Sequence, residues 1–161
     1  MGIDVYLKWP GQTPEERLAQ EDAYLSLDGG SVGYLRESYS GGPYVTKILC
    51  REAFESASRE AQIPASVMRE RLTSVTEPAR GFDAGHWAAE EIAKQFEASG
   101  AEVRHPGSAR TDPMTVEEAI ALRYDNPADA ELVRHSCREF VALAELHERE
   151  TGKHCTVVVA Y

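Results

Sequence analysis

The side chains best suited to bind a ligand are concentrated in residues 34–44, which read YLRESYSGGPY. This segment combines three tyrosines, an Arg-Glu pair and a Gly-Gly-Pro turn, a density of polar and aromatic groups found nowhere else in the chain. Cationic side chains hold carboxylates or phosphates, and tyrosines supply both a ring and a hydroxyl to many small-ligand sites. The sequence therefore predicts a ligand-binding site that consists of Tyr34, Arg36, Glu37, Tyr39, Gly41, Gly42, Tyr44 and Lys47.

Two local structures are open for the residues after the turn, and both attract an anion. In a hairpin, Arg36 faces Lys47 and Glu37 faces Thr46, and the two opposed cations repel each other unless a negative group lies between them. In a helix that begins at Pro43, the preceding Ser-Gly-Gly run leaves free N–H groups at the positive end of the helix, with Lys47 close behind. Each structure predicts a bound carboxylate or phosphate. The structural alternative is a tight turn in which Arg36 pairs with one of the many acidic residues.

The remaining reactive residues lack the partners that a catalytic or metal site requires. His86 and Glu90 have the spacing of two metal ligands on a helix, but no HExxH motif or cysteine pair supplies a third ligand. Cys137 and Cys155 fall on predicted buried faces, which disfavours a reactive thiol. No P-loop or GxGxxG motif is present. We therefore expect no metal and no cofactor, and whether the protein is an enzyme stays open.

Composition restricts the partners and the compartment. The 161-residue chain carries 27 acidic and 17 basic residues, a net charge of −10, and its basic residues form no cluster, so nucleic-acid binding is not expected. No apolar run has the roughly 18 residues of a membrane span, and the first residues lack a signal-peptide pattern. The three widely spaced cysteines are expected to be free thiols in a reducing compartment. These features predict a cytoplasmic protein without a membrane partner.

The first part of the chain mixes strands and helices. Residues 3–9 alternate apolar and polar side chains, which is the period of a strand buried on one face. A Thr-Pro-Glu-Glu capping box at residues 13–16 predicts a helix that continues to about residue 27. Residues 31–39 are expected to form a second strand, and residues 43–61 fit either a strand or a helix because their apolar residues suit both periods.

Helices dominate the rest of the chain, and most have capping residues at their ends. They are predicted at residues 65–72, 84–99, 115–123 and 127–151, with a loop at residues 101–113. The last helix begins at Asn126-Pro127 and ends before Gly152. Its predicted buried face consists of Val133, Cys137, Phe140, Val141 and Ala144.

The two terminal segments are the most hydrophobic strands, so we expect them side by side at the centre of a small sheet. In residues 154–161, the side chains that point to either face of the strand are largely apolar, which predicts that this strand is covered on both faces. The expected fold class is α+β, with several helices packed against the sheet and residues 1–161 in a single domain.

These features favour a cytosolic binding or accessory protein that holds a small anionic ligand or a protein partner at residues 34–47. One alternative is a small hydrolase or transferase, with Arg36 holding an anion, Glu37 or a histidine as the base, and Tyr39 or Tyr44 as a proton donor. The acidic charge suggests a third class, an immunity-type or antitoxin-like protein with a basic protein partner.

Overall fold

The sheet places the amino- and carboxy-terminal strands next to each other in its centre. The computed structural model describes residues 2–25, 29–38, 43–79, 98–100 and 112–161. Within them, four antiparallel strands have the order β2-β1-β4-β3, and the strands are β1 (Gly2–Lys8), β2 (Tyr34–Ser38), β3 (Glu60–Gln62) and β4 (Thr156–Ala160). The predicted central pair of terminal strands is confirmed. Strands β2 and β3 form the two edges of the sheet.

Six α-helices lie in the described part of the chain and pack with the sheet around one core. They are α1 (Pro14–Asp22), α2 (Val45–Leu49), α3 (Arg51–Glu55), α4 (Ala65–Thr73), α5 (Val116–Arg123) and α6 (Pro127–Thr151). The predicted buried face of α6 is confirmed at four of its five positions, since Val133 is only half-buried. The fold is a single α+β domain, as the sequence predicts. None of the described helices combines the length and the apolar character that crossing a membrane requires.

The sheet has one buried face and one partly open face. Ile3, Val5 and Leu7 of β1 alternate inward and are fully buried, and Val157 and Val159 of β4 join them in the core. The predicted coverage of β4 on both faces is wrong, because Val158 is half-buried and Ala160 is exposed on the opposite side. The adjacent apolar residues of β4 therefore do not mean that this strand is covered on both faces.

Local signals in the sequence place several helix ends correctly. Thr13 and Glu16 form a reciprocal capping box at the start of α1, and Thr115 and Glu118 form another at the start of α5. Gly152 ends α6 with a φ of 69°, a left-handed conformation that glycine adopts without strain. These ends depend only on neighbouring residues, which is why the sequence predicts them.

Helix α1 and strand β2 are shorter than predicted. Helix α1 ends at Asp22 and tightens into a 3₁₀ turn over Ala23–Leu25, so the predicted extension to residue 27 is wrong. A second 3₁₀ turn, Gly30–Val32, occupies the predicted start of β2 and ends at Gly33, whose φ of 81° reverses the chain direction. An added Cβ at Gly30 would lie 1.9 Å from the backbone oxygen of Ser136, so this glycine allows the turn to pack directly on α6.

Residues 43–61, whose apolar pattern fits both a helix and a strand, form two helices and then a short strand. Helices α2 and α3 are separated at Cys50, whose φ of −117° and ψ of 36° are not helical. The predicted hairpin alternative is therefore wrong, and residues 45–49 are helical. Strand β3 is absent from the prediction because it has three residues and only Ala61 faces inward. The predicted helix at residues 84–99 and loop at residues 101–113 lie mostly outside the described residues.

All three cysteines are free and buried. Burial raises the pKa of the Cys50 and Cys137 thiols well above the usual range, and it raises the pKa of Cys155 to about 11. Because the thiolate is the reactive form, each thiol is protected both by its position and by its protonation at neutral pH.

We expect all three thiols to react slowly with Ellman's reagent in the folded protein at pH 8, and all three to react rapidly after unfolding in guanidinium chloride. Stability should also fall as the pH rises from about 9 towards 11, because the unfolded chain then releases thiol protons that the folded chain retains. Denaturant titrations over this pH range measure the second effect. Rapid labelling of all three thiols before unfolding would contradict their burial.

Candidate functional site

The carboxylate of Glu37 caps the amino end of helix α2 from the neighbouring strand. Its two oxygens accept hydrogen bonds of 2.8 Å from the backbone N–H groups of Val45 and Thr46, and the Thr46 hydroxyl donates to the same carboxylate. The N-cap residue itself, Tyr44, makes no side-chain cap. Glu37 is only 3% exposed, so these donors replace the water that a buried carboxylate loses. Helix α2 thus begins at Val45 and not at the predicted Pro43, and its first N–H groups are not free, because an acid of the same chain accepts from them.

Arg123, at the end of α5, supplies the positive charge beside Glu37 and ties together the two sides of the turn. Its Nε lies 3.7 Å from the Glu37 carboxylate, and both side chains are almost fully buried. Its Nη2 donates to the backbone oxygen of Ser38 at 2.6 Å and its Nη1 donates to that of Pro43 at 3.5 Å. The guanidinium carbon also lies 5.1 Å from the ring centre of Tyr44. Arg123 therefore fixes the end of β2 relative to the start of α2.

Arg36 belongs to a second cluster, on the partly open face of the sheet. Asp4 lies opposite Arg36 in the β1–β2 pair, and its Oδ1 accepts hydrogen bonds from the Tyr34 hydroxyl at 2.6 Å and from Arg36 Nη1 at 3.0 Å. The Arg36 guanidinium stacks on Tyr24 at 4.0 Å. Burial, and then the hydrogen bond to Asp4, raises the pKa of the Tyr34 hydroxyl well above its usual range. Tyr34 therefore stays protonated and acts as a donor.

The free edge of β2 presents backbone groups of Arg36 that have no partner in the described part of the chain. The Leu7 N–H donates to the Gly33 oxygen at 2.8 Å, which sets the alternation of the β1–β2 ladder. By that alternation, the backbone groups of Leu35 and Glu37 bond to β1. The N–H and C=O groups of Tyr34, Arg36 and Ser38 point outward. The Tyr34 N–H donates to the Gly29 oxygen, and the Ser38 oxygen accepts from Arg123. The Arg36 N–H and C=O lie between these two hydrogen bonds, and neither they nor the Tyr34 C=O have a partner among the described residues.

A cavity of about 460 Å³ lies along this edge, between β2, the start of α2 and one side of α6. We call it the β2-edge cavity. Its volume falls in the range of roughly 300–1,000 Å³ that is typical of small-ligand sites. The described residues that line it are Tyr24, Gly29, Tyr34, Leu35, Arg36, Glu37, Ser38, Val45, Thr46, Tyr124, Asp129, Leu132, Val133, Ser136 and Cys137.

The structure brings together only part of the predicted site. Tyr34, Arg36 and Glu37 line the β2-edge cavity. Tyr44 is buried at the start of α2 and Lys47 is buried within α2, and neither is among the described residues that line the cavity. The other predicted site residues, Tyr39, Gly41 and Gly42, lie outside the described residues. The predicted proximity of the Arg36 and Lys47 side chains stays a prediction.

Sequence reasoning missed Arg123 and the α6 wall of the cavity. Arg123 reads as a cation in the last turn of a helix, where the helix dipole explains it without any distant partner. Val133 and Cys137 were assigned to the buried face of α6, which hides the fact that they line a cavity. The alternation in β1 places Asp4 on the polar face of the strand. Its partners could not be predicted, because they depend on how β1 pairs with β2.

The described residues contain no group of three or more His, Cys, Asp or Glu side chains that could hold a metal ion. His86 and Glu90 lie outside the described residues, so the expected absence of a metal stays a prediction. Burial, followed by the nearby Glu37 charge, raises the pKa of the Tyr124 hydroxyl. Tyr124 therefore contributes a protonated hydroxyl and a ring to the cavity wall.

Comparison with known proteins gives no match: no family model, no curated protein and no solved structure is significantly similar to this chain. The function must therefore be inferred from the geometry and the chemistry of the chain itself.

The substitution Glu37→Gln tests the capping carboxylate. We expect it to lower the free energy of unfolding by about 3 kcal/mol, because it leaves Arg123 buried without its counter-ion and replaces one acceptor with a donor. The matched control is Glu16→Gln in the capping box of α1, which should cost less than about 1 kcal/mol because that box is exposed. Urea denaturation of the two variants measures both values. Equal costs for the two variants would contradict the structural role of Glu37.

Proposed function

We propose that this protein is a non-catalytic binding or accessory protein whose ligand lies in the β2-edge cavity. The observation that carries this proposal is the pair of Arg36 backbone groups, which border the cavity and lack partners among the described residues. Buried or half-buried backbone groups are normally hydrogen-bonded, so an adjacent donor and acceptor beside a cavity favour an external partner.

The lining indicates the chemistry of the ligand. Val45, Leu132 and Val133 favour an apolar body, and the Arg36 N–H and C=O favour an adjacent acceptor and donor. A carboxylate is a suitable acceptor, since the Arg36 guanidinium has more N–H donors than Asp4 and the neighbouring Tyr34 hydroxyl use. The anionic group that the sequence predicts would therefore bind Arg36, because Glu37 already occupies the amino end of α2.

Binding fits this arrangement better than catalysis. The enzyme alternative uses Glu37 as a base, but this carboxylate accepts three hydrogen bonds and lies beside Arg123. Proton transfer to Glu37 would weaken the cap of α2 and leave Arg123 without its counter-charge. A base that the fold needs in its ionised state is poorly suited to cycle through a protonated one.

Titration of the ¹⁵N-labelled protein with N-acetylvaline and with N-acetylvaline N-methylamide tests the proposal. Both compounds have an apolar side chain and an adjacent donor and acceptor, and only the first has a carboxylate. We expect both compounds to shift the Arg36 amide resonance. N-acetylvaline should bind more tightly than its N-methylamide, because its carboxylate also interacts with the Arg36 side chain. Arg36→Ala should remove that difference in affinity.

A pair of variants on α6 provides the control. Val133→Trp fills the β2-edge cavity and should abolish the shift of the Arg36 amide, whereas Leu146→Trp alters an exposed position of the same helix and should preserve it. The proposal fails if neither compound shifts the Arg36 amide in the wild-type protein, or if Val133→Trp leaves binding unchanged.

A further inference from the structure

Strand β2 is an edge strand on which Arg36 presents an outward N–H and an outward C=O that have no partner among the described residues. Edge strands usually need protection, because unpaired N–H and C=O groups pair with other chains. Here the Gly29 oxygen accepts from the Tyr34 N–H at one end, and Arg123 donates to the Ser38 oxygen at the other end. The protein's own groups thus close both ends of the edge, and Arg36 lies in the gap between them.

We propose that the ligand of the β2-edge cavity is an extended segment of another polypeptide that pairs with Arg36 as a short fifth strand, an inference that rests on the proposed function. Addition of a strand to a sheet edge is a common mode of peptide recognition, with affinity from backbone bonds and specificity from alternate side chains. The existing neighbours in the sheet are all antiparallel. An antiparallel segment needs one residue to exchange both bonds with Arg36, which matches the outward N–H and C=O of that residue.

This pairing determines where the side chains of the segment lie. The residue that faces Arg36 has its side chain on the partly open face, next to the guanidinium and the Tyr24 ring. The residues before and after it point to the opposite face, where Val45, Leu132 and Val133 line the cavity. The segment should therefore have an apolar residue on each side of its central residue.

An acidic central residue complements Arg36. The Asp4 carboxylate accepts from Nη1 of Arg36, and the guanidinium has more N–H donors than Asp4 and the neighbouring Tyr34 hydroxyl use. A cross-strand pair of opposite charges stabilises a sheet, whereas a lysine at the same position would face a cation of the same sign. The inferred recognition element is thus apolar–acidic–apolar, and its carboxylate belongs to the partner polypeptide.

The test uses the peptide acetyl-Thr-Val-Glu-Val-Thr-amide, titrated into the ¹⁵N-labelled full chain. N-methylation of its central glutamate should abolish binding, because it removes the N–H that donates to the Arg36 oxygen. N-methylation of the valine that follows should preserve binding, since that N–H points away from β2. These two peptides have the same composition and differ only in which backbone donor is blocked.

Changing the central glutamate of the peptide to lysine tests the charge. This change should weaken binding by about fivefold, the equivalent of a cross-strand charge effect near 1 kcal/mol. Arg36→Val retains the backbone groups and the strand propensity but removes the cation, so it should erase the preference for glutamate and keep the effect of N-methylation. Val133→Trp should prevent binding of every peptide, and Leu146→Trp should not.

The outcomes separate this inference from the proposed function. If N-acetylvaline shifts the Arg36 amide but the peptide binds equally well with its central glutamate N-methylated, the cavity binds ligands and strand addition is wrong. If neither compound nor peptide binds, both proposals fail. If the peptides fail and the chain dimerises with its Arg36 amide protected from hydrogen exchange, the occupant of the edge is a second copy and a separate partner segment is excluded.

Discussion

The buried carboxylate of Glu37 imposes the constraint on which the rest of this region depends. A charge that is 3% exposed must be compensated locally, and it is met by the start of α2 and by Arg123 at the end of α5. Three elements that are distant in sequence therefore have to converge on the end of β2. Because α2 lacks a capping residue of its own, it depends on Glu37 as much as Glu37 depends on it.

Charge compensation also determines the surroundings of the two arginines at the end of β2. Arg123 is committed to Glu37 and the backbone, and Arg36 shares Asp4 with the Tyr34 hydroxyl, so neither guanidinium is an isolated cation that would attract any anion. The backbone of Arg36 is the distinctive feature that remains. Backbone groups at a strand edge recognise geometry, and the surrounding side chains then select among partners of the same geometry.

The predictable parts of the structure are those that depend on near neighbours. The capping boxes at Thr13 and Thr115 and the apolar terminal strands are local features, and the central strand pair follows from hydrophobicity. Residues 45–49 were undecidable because their apolar positions suit both periods, and the choice is made by Glu37 from the adjacent strand. The contact between Arg123 and Ser38 spans 85 residues, and no local pattern encodes it.

The predicted bound anion stays a prediction, because the acceptor at the start of α2 is Glu37 of the chain itself. A helix start without a capping side chain does require an acceptor, and here the chain supplies it internally. The edge of β2 follows a parallel logic, since Gly29 and Arg123 satisfy outer groups at its two ends, while the Arg36 N–H and C=O have no partner among the described residues. An opening this short presents few backbone groups for indiscriminate pairing with other strands. In the proposed strand addition, selectivity would come from the cavity beside this edge, because the side chains of the added segment would have to fit there.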